Sequence, residues 1–314
     1  MMLRLLTKFL TKFLTKFIFF SYNIKYLYII SIYMGNILKK TNLNENEFKF
    51  NIIQDKNVAQ KFLEKAELAD FYIEECQDSR SNFLARKDLS YAANSISGGE
   101  YKYAVAYLDM LKTTLPVRLV NDLKVVTIIQ LMPTADGGMP HTRPNIICYP
   151  DFRQLLSRTT LIHELWHVHQ RLFRDLWFKV FNNLGWTIWN DELPEHLEKA
   201  RRFNPDTIDC PLWIFENEWI PIPIFKDISK PKVGDVDIWF YNPRLHYHLK
   251  RVPDVLLSYF PDLPPAAYEH PRELTAYMLA EPELHRNNKG FIHLIELIGN
   301  ISIMSYKSVY NIPK

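Results

Sequence analysis

Glycine and cysteine are both scarce in this 314-residue chain, and each shortage excludes a class of protein. The chain has 9 glycines, whereas average usage would supply roughly 22. It contains neither G-x-G-x-x-G nor G-x-x-x-x-G-K-[ST], which argues against a glycine-rich phosphate-binding enzyme. The three cysteines form no C-x-x-C pair. We therefore expect neither a disulfide framework nor a cysteine zinc site, and we expect a reducing, intracellular compartment.

Acidic side chains are missing from the first 40 positions, which makes the overall charge of +3 misleading. Residues 1–40 carry seven of the 38 basic side chains, so the rest of the chain carries 31 basic and 35 acidic ones. The larger part of the protein is therefore mildly acidic, despite a sequence pI near 8.5. Because nucleic acid attracts basic surfaces, we expect no nucleic-acid partner.

The basic N-terminal stretch repeats Leu-Thr-Lys-Phe three times between positions 6 and 17, and residues 17–38 are mostly apolar. An apolar segment of about 20 residues with basic flanks is typical of a signal anchor or an interfacial helix. One interpretation is therefore membrane association through residues 1–40. The alternatives are a disordered extension and an internal start at Met34, whose following glycine resembles a myristoylation site.

The remaining sequence divides into a polar stretch and a long segment with the periodicity of a packed core. Residues 41–55 are interpreted as a linker, which gives a tail and linker at 1–55 and one domain at 56–314. Residues 186–243 are rich in Trp and Pro and are interpreted as a loop-rich insertion. Strands that precede helices, with an irregular stretch between them, predict an α+β fold. The predicted helices are Asn57–Cys76, Tyr101–Leu111, Phe152–Phe181, 244–258, Pro271–Ala280 and Phe291–Leu297, and the predicted strands are Val125–Ile129, Asn145–Tyr149, Pro211–Phe225 and Asp237–Phe240.

The residues His163-Glu164-Leu165-Trp166-His167 form an H-E-x-x-H motif within a stretch that lacks Pro and Gly. On a helix, histidines at i and i+4 project from one face, so both imidazoles can bind one metal ion. Glu164 lies about 100° around the helix, where it can take a proton from metal-bound water. The alternative is a chance match on a polar helix face.

His169 does not belong to this pair, because it lies nearly opposite His167 on a helix. The longer metzincin pattern requires Gly and His at the positions that Gln170 and Phe173 occupy here. The sequence therefore excludes that subclass.

A catalytic zinc site has three protein ligands and an open position, so a third ligand is required. Glu273 is the main candidate, because Pro271 is a natural first residue of a helix and Glu273 would lie in the first turn. An acid at that place also complements the helix dipole without any metal. Glu192 and Glu195 are rival ligands, although Pro194 between them makes a rigid ligand helix less suitable.

An H-E-x-x-H motif followed by a distant helical glutamate resembles the gluzincin branch of the zincin metallopeptidases. The resemblance implies that His163, His167 and Glu273 bind one Zn²⁺ ion. It also implies that Glu164 polarises the attacking water, and that residues 56–314 form an α+β, zincin-like catalytic domain.

This resemblance covers roughly residues 117–183 and 266–281. The predicted strand Asn145–Tyr149 resembles the family's edge strand, along which substrate lies. The chain departs from the family where Tyr277 stands four residues after the ligand glutamate, a position that often holds an acid. The partner that orients a histidine is therefore not identified from the sequence.

Other polar residues are candidates for binding substrate or for stabilising an oxyanion. At the start of the expected edge strand, His141 and Arg143 could orient a substrate carbonyl or carboxylate, or Arg143 could be an ordinary surface residue. For each oxyanion candidate, the alternative is a solvated or capped side chain. These candidates are His246, Tyr247, His248, Tyr268 and His270.

Together these features predict a zinc-dependent hydrolase, specifically a metallopeptidase that acts on peptide or protein substrates. The alternative is a zincin-fold structural or virion-associated protein that is held to a membrane by its tail and has little turnover. A membrane-tethered adaptor without metal is a third interpretation.

Deleting residues 1–40 should leave zinc binding and the thermal midpoint nearly unchanged. The apolar periodicity of a packed core begins only near Val58, and exposed ion pairs between a basic tail and an acidic body contribute only about 0–1 kcal/mol each. Chelator competition and thermal unfolding of the truncated chain measure both quantities. A truncated chain that fails to fold would exclude the membrane and internal-start interpretations.

Overall fold

The computed structural model describes the backbone of residues 48–308 and the side chains of residues 48–299. The basic tail and the membrane interpretation attached to it lie outside these residues. Within them, helices are mixed with small sheets, which confirms the predicted α+β class. None of the described helices is both long and apolar enough to cross a membrane.

Twelve α-helices and nine strands make up the described part of the chain. The helices are α1 (Lys56–Asp70), α2 (Tyr72–Asp78), α3 (Arg80–Arg86), α4 (Gly98–Leu111), α5 (Val117–Asp122), α6 (Arg158–Leu172), α7 (Arg174–Asn183), α8 (Glu195–Ala200), α9 (Asp254–Tyr259), α10 (Pro271–Ala280), α11 (Pro282–His285) and α12 (Lys289–Ser308). The strands are β1 (Lys49–Ile53), β2 (Val125–Gln130), β3 (His141–Arg143), β4 (Ile146–Tyr149), β5 (Trp186–Trp189), β6 (Leu212–Phe215), β7 (Ile220–Phe225), β8 (Val236–Asn242) and β9 (Tyr247–Leu249).

The four-stranded sheet has the order β1-β2-β4-β3, in which β3 alone runs antiparallel to its neighbour. The strand predicted at Asn145–Tyr149 is confirmed as β4, but its expected place at the edge of the sheet is wrong, because β4 lies inside the sheet and β3 forms the edge. All four residues of β4 are buried and apolar in character, as is typical of a strand covered on both faces. The linker interpretation is also wrong for residues 49–53, because they form β1, which pairs with β2. This strand contains the apolar residues Phe50 and Ile52.

Two predicted helices are each interrupted. The helix expected over Asn57–Cys76 breaks at Phe71, whose φ of 54° is left-handed, so it becomes α1 and α2. The helix expected over Phe152–Phe181 becomes a 3₁₀ turn followed by α6 and α7, which separate at Phe173. Gly185, with φ 89°, follows the end of α7 as expected.

The expected loop-rich insertion at 186–243 contains its predicted strands: Pro211–Phe225 forms β6 and β7 on either side of a turn, and Asp237–Phe240 lies within β8. Strand β5 and helix α8 were not predicted, and Trp186 and Trp213 belong to the main core. The helix expected over 244–258 is wrong in its first half, where a turn leads into β9 and only the last residues form α9. Pro253 stands at the start of α9, and a proline inside a helix removes a backbone hydrogen bond, so one continuous helix over 244–258 is disfavoured.

The site of interest is held by α6 and α10, which pack directly against each other. Leu161 and Leu165 of α6 and Leu274 and Met278 of α10 are completely buried in one core cluster. The same helix α6 also contacts β3 and β4. A rigid helix pair therefore lies beside the β3 edge of the sheet.

Gly290→Ala should lower the free energy of unfolding by about 1–3 kcal/mol, the usual cost of overpacking. A Cβ atom at Gly290 would lie 2.2 Å from two ring carbons of Phe260 and 2.9 Å from the carbonyl oxygen of Tyr259. Gly299→Ala, in the same helix with nothing within 4 Å, is the matched control. It should raise stability by up to about 1 kcal/mol. Urea unfolding measures both, and equal effects would contradict the packing of α12.

Candidate metal centre

The two histidines of the motif and Glu273 meet where α6 contacts α10. The Nε2 atoms of His163 and His167 are 2.9 Å apart. The Oε2 atom of Glu273 lies 3.3 Å from the first of these nitrogens and 3.5 Å from the second. One metal ion could be held by these three side chains together.

These separations fit a tetrahedral zinc site. Ligand atoms about 2.0–2.1 Å from a tetrahedral zinc ion lie about 3.3 Å from one another. The observed distances of 2.9, 3.3 and 3.5 Å bracket this value. Two imidazole nitrogens and one carboxylate oxygen are also a donor set that zinc accepts in catalytic sites.

Local sequence signals place each ligand on its helix. Ser157 caps α6, because its hydroxyl oxygen accepts a hydrogen bond from the backbone N–H of Thr160. His270 caps α10 by accepting from the N–H of Arg272 at 3.0 Å, and Pro271 takes the first helical position. Glu273 therefore stands in the first turn, as predicted, and points at α6.

Gln170 orients one ligand and joins the two helices. Its side-chain oxygen lies 2.9 Å from Nδ1 of His167, so it accepts that N–H and leaves Nε2 to bind a metal ion. Its amide nitrogen donates to the carbonyl of Arg272 and to Oγ1 of Thr275, both at 3.0 Å. The histidine-orienting partner that the sequence did not identify is therefore a neighbour on the motif helix itself.

The cluster is arranged to hold positive charge. Burial disfavours protonation of His167, but the Glu273, Asp206 and Glu164 carboxylates together outweigh burial and raise the pKa of His167 to about 9. Burial alone would raise the pKa of Glu273, but the two histidines outweigh it and hold that pKa well below its ordinary value. A divalent cation bound between these side chains would take the place of the histidine proton and balance the charge of the Glu273 carboxylate.

Glu164 lies in the wall of the cavity that contains the cluster. The cavity has a volume of about 300 Å³. The residue is 3% exposed, and its Oε2 atom has no hydrogen-bond partner among the described residues. Burial, reinforced by the Asp206 carboxylate, raises the pKa of Glu164 well above its ordinary value. A buried carboxylate with an unpaired oxygen is suited to accept a proton from a water in the cavity.

A second layer of polar side chains comes from the segment after α8, which the sequence did not identify. Asn204 donates to Oε1 of Glu273 at 3.1 Å and to Oε1 of Glu269 at 3.0 Å. Glu269 also accepts from the guanidinium of Arg202. Burial raises the pKa of Glu269 to about 7. The far oxygen of the candidate metal ligand is thus fixed by an amide from a different part of the chain.

Tyr277 occupies the place where the family often has an acid. It lies one turn after Glu273 and lines the cavity. Its ring meets the ring of His163 edge to face, with 4.7 Å between the centroids. Burial and the nearby Glu273 carboxylate raise the pKa of Tyr277, which keeps the phenol protonated and able to donate.

The rival ligands and the earlier oxyanion candidates lie elsewhere. Glu192 and Glu195 are exposed, and Glu195 pairs with Lys199. Neither of these two rival ligands, and none of the five oxyanion candidates, lines the cavity around the cluster. Among the oxyanion candidates, His246 contacts the Tyr241 hydroxyl, Tyr247 packs on Trp219, His248 stacks on Trp239, Tyr268 donates to the Phe260 carbonyl, and His270 caps α10.

Both ring nitrogens of His141 are occupied, although the residue lines the cavity. Its Nε2 lies 2.7 Å from the Tyr91 hydroxyl and its Nδ1 lies 3.0 Å from the Met139 carbonyl oxygen. Arg143 is not a surface residue and does not reach a substrate, because it is buried in a two-point ion pair with Asp70.

His169 lies outside the cluster, as its helical position predicted. Its Nε2 contacts Asp122 at 2.9 Å, and its Nδ1 accepts from the indole of Trp177 at 2.9 Å.

Comparison with protein-family models, with curated protein sequences and with solved structures finds no match to this chain. The function proposed for this chain therefore rests on the geometry of the site.

Gln170→Leu should weaken zinc affinity by about 10–100-fold, because nearly the same volume is kept while the acceptor for the His167 N–H is lost. Gln170→Glu keeps the acceptor for the His167 N–H but loses the amide donor to the Arg272 carbonyl, so zinc affinity should fall less than in Gln170→Leu. Gln77→Leu, the same substitution at an exposed position of α2, is the control and should leave the zinc affinity unchanged. Competition with a chelating dye gives the affinities, and unchanged affinity in Gln170→Leu would contradict the orienting role.

Proposed function

We propose that this protein is a zinc-dependent hydrolase, specifically a metallopeptidase with a zincin-like catalytic domain. The observation that carries the proposal is the meeting of His163, His167 and Glu273 within 3.5 Å beside the unpaired, buried oxygen of Glu164. Bound by those three side chains, zinc would polarise a carbonyl group and lower the pKa of a water to about 7.

Glu164 is the proposed general base. It is on the same helix as the two histidines but not among the clustered ligand atoms, and its side chain lines the cavity in which a substrate and a water would meet. The carboxylate would take the proton of the attacking water and pass it to the leaving amine. Tyr277 is the proposed donor to the oxyanion, because its phenol is protonated and lines the same cavity.

Gln170 and Asn204 are positioning residues in this proposal. Gln170 holds the His167 ring, and Asn204 holds the oxygen of Glu273 that faces away from the histidines. A peptide carbonyl entering the cavity would then find its binding groups already in place, which reduces reorganisation during the reaction.

Glu164→Gln should keep fold and zinc content while peptide cleavage falls by about 10²–10⁴-fold, the usual contribution of a general base. The substitution keeps the shape of the side chain and removes the proton acceptor. Cleavage of a fluorescence-quenched peptide library, with metal analysis of the same samples, measures both. Glu195→Gln, on an exposed acid outside the cavity, is the matched control and should behave as wild type.

The same experiment separates the hydrolase from the structural alternative. Turnover that persists in Glu164→Gln would exclude Glu164 as the base. A wild-type protein that holds zinc but cleaves no peptide in the library would instead favour a zincin-fold structural or virion-associated protein.

A further inference from the structure

The sheet edge beside the metal cluster is closed by the protein's own segment 204–209. The backbone N–H of Thr142, in the middle of β3, donates to Oδ1 of Asp206 at 2.6 Å, and its hydroxyl donates to the same oxygen at 2.7 Å. The carbonyl of Thr142 accepts from Arg171 at 3.4 Å. Both backbone groups that an added strand would use at this residue are therefore already bonded.

This closing segment is anchored firmly. Asp209 pairs with Arg171 at 2.7 Å and with Arg272 at 2.6 Å, and Arg171 also donates to the carbonyl of Pro205. Asp206 is only 6% exposed. An extended substrate could therefore pair with β3 at Thr142 only by displacing Asp206 and Arg171.

The charges that line the cavity favour a positively charged group over a negatively charged one. Besides Glu164 and Glu273, four carboxylates line the cavity, and Arg202 is the single Lys or Arg among the described lining residues. The Arg202 guanidinium already donates to Glu269. Glu164 also lines this cavity, and its buried Oε2 atom has no hydrogen-bond partner among the described residues. The four carboxylates that line the cavity besides Glu164 and Glu273 belong to Asp136, Asp206, Glu269 and Glu281.

Asp206 is the best placed of these groups to receive a cation. Asp136 pairs with Arg86, and Glu269 pairs with Arg202. By contrast, Asp206 accepts its hydrogen bonds from the uncharged groups of Thr142. Arg171 and Arg272, the two nearby arginines, form their ion pairs with Asp209.

We propose that the cavity binds the free α-ammonium group of a peptide, with Asp206 as the main recognition residue and Glu281 at the rim. The inference rests on the proposed peptidase function and deepens it: the substrates are peptides cleaved close to a free N-terminus. A carboxylate end is disfavoured, because it would enter a wall of carboxylates whose one arginine is already paired.

The test is a calorimetric titration of zinc-loaded Glu164→Gln protein, which should bind peptide without cleaving it. The probes are a tetrapeptide amide of alanine and leucine with a free N-terminus and the same peptide with an acetylated N-terminus. The free form should bind at least about tenfold more tightly. Equal binding, or no binding of either peptide, would overturn the proposal.

Variants in the same background identify the residues responsible. Asp206→Asn keeps an acceptor for Thr142 but removes the charge, so it should reduce the preference for the free peptide severalfold. Glu281→Gln, on an exposed residue that leaves the core untouched, should reduce it less. Glu283→Gln, an exposed acid outside the cavity, should leave it unchanged. A preference that survives both cavity variants would overturn the assignment.

A third probe separates the two sources of an ammonium group. An acetylated peptide carrying one lysine should bind as weakly as the acetylated parent; binding as tight as the free peptide would overturn recognition of the N-terminus. If the free peptide is preferred but the wild-type protein cleaves neither form, the hydrolase proposal fails together with cleavage near the N-terminus, and only the recognition of a free N-terminus stands.

Discussion

The packing of α6 against α10 is the constraint on which the candidate site depends. Two ligands come from one helix and the third comes from the other, so a shift of one helix by a single side-chain length would separate them. Completely buried leucines fix the distance between the helices. Gln170 fixes their rotation, because one side chain contacts His167 on α6 and both Arg272 and Thr275 on α10.

Around this pair, the segment after α8 has two roles. Asn204 completes the hydrogen bonding of Glu273, and Asp206 occupies the edge of the sheet at Thr142. A stretch that was interpreted from its composition as a loop-rich insertion therefore forms one wall of the cavity. Its charged residues are buried at a cost that is offset only because each is hydrogen-bonded or paired.

The sequence predicted those features that depend on local chemistry. The i, i+4 histidines and the proline at the start of α10 are signals contained within a few residues, so both ligand helices and the three candidate ligands follow from them. Strands β2 and β4 are short apolar runs and were equally accessible to prediction.

The features that the sequence did not predict depend on contacts between distant residues. Helix breaks at Phe71 and Phe173 involve neither Gly nor Pro, so nothing in the local pattern marks them. The choice of β3 rather than β4 as the edge depends on pairing across the sheet. Asn204 and Asp206 lie in a turn without periodicity, and their roles become visible only when the turn is placed against α10 and β3.

The three-ligand zinc site is tested most directly by the metal content of the purified protein and of Glu273→Ala, with Glu192→Ala as the matched control. We expect about one zinc ion per chain in wild type and in Glu192→Ala. Glu273→Ala should lose most of that zinc, because a two-histidine site lacks the third ligand of a zinc centre. Zinc retained at the wild-type level in Glu273→Ala, or no stoichiometric zinc in the wild-type protein, would contradict the three-ligand site.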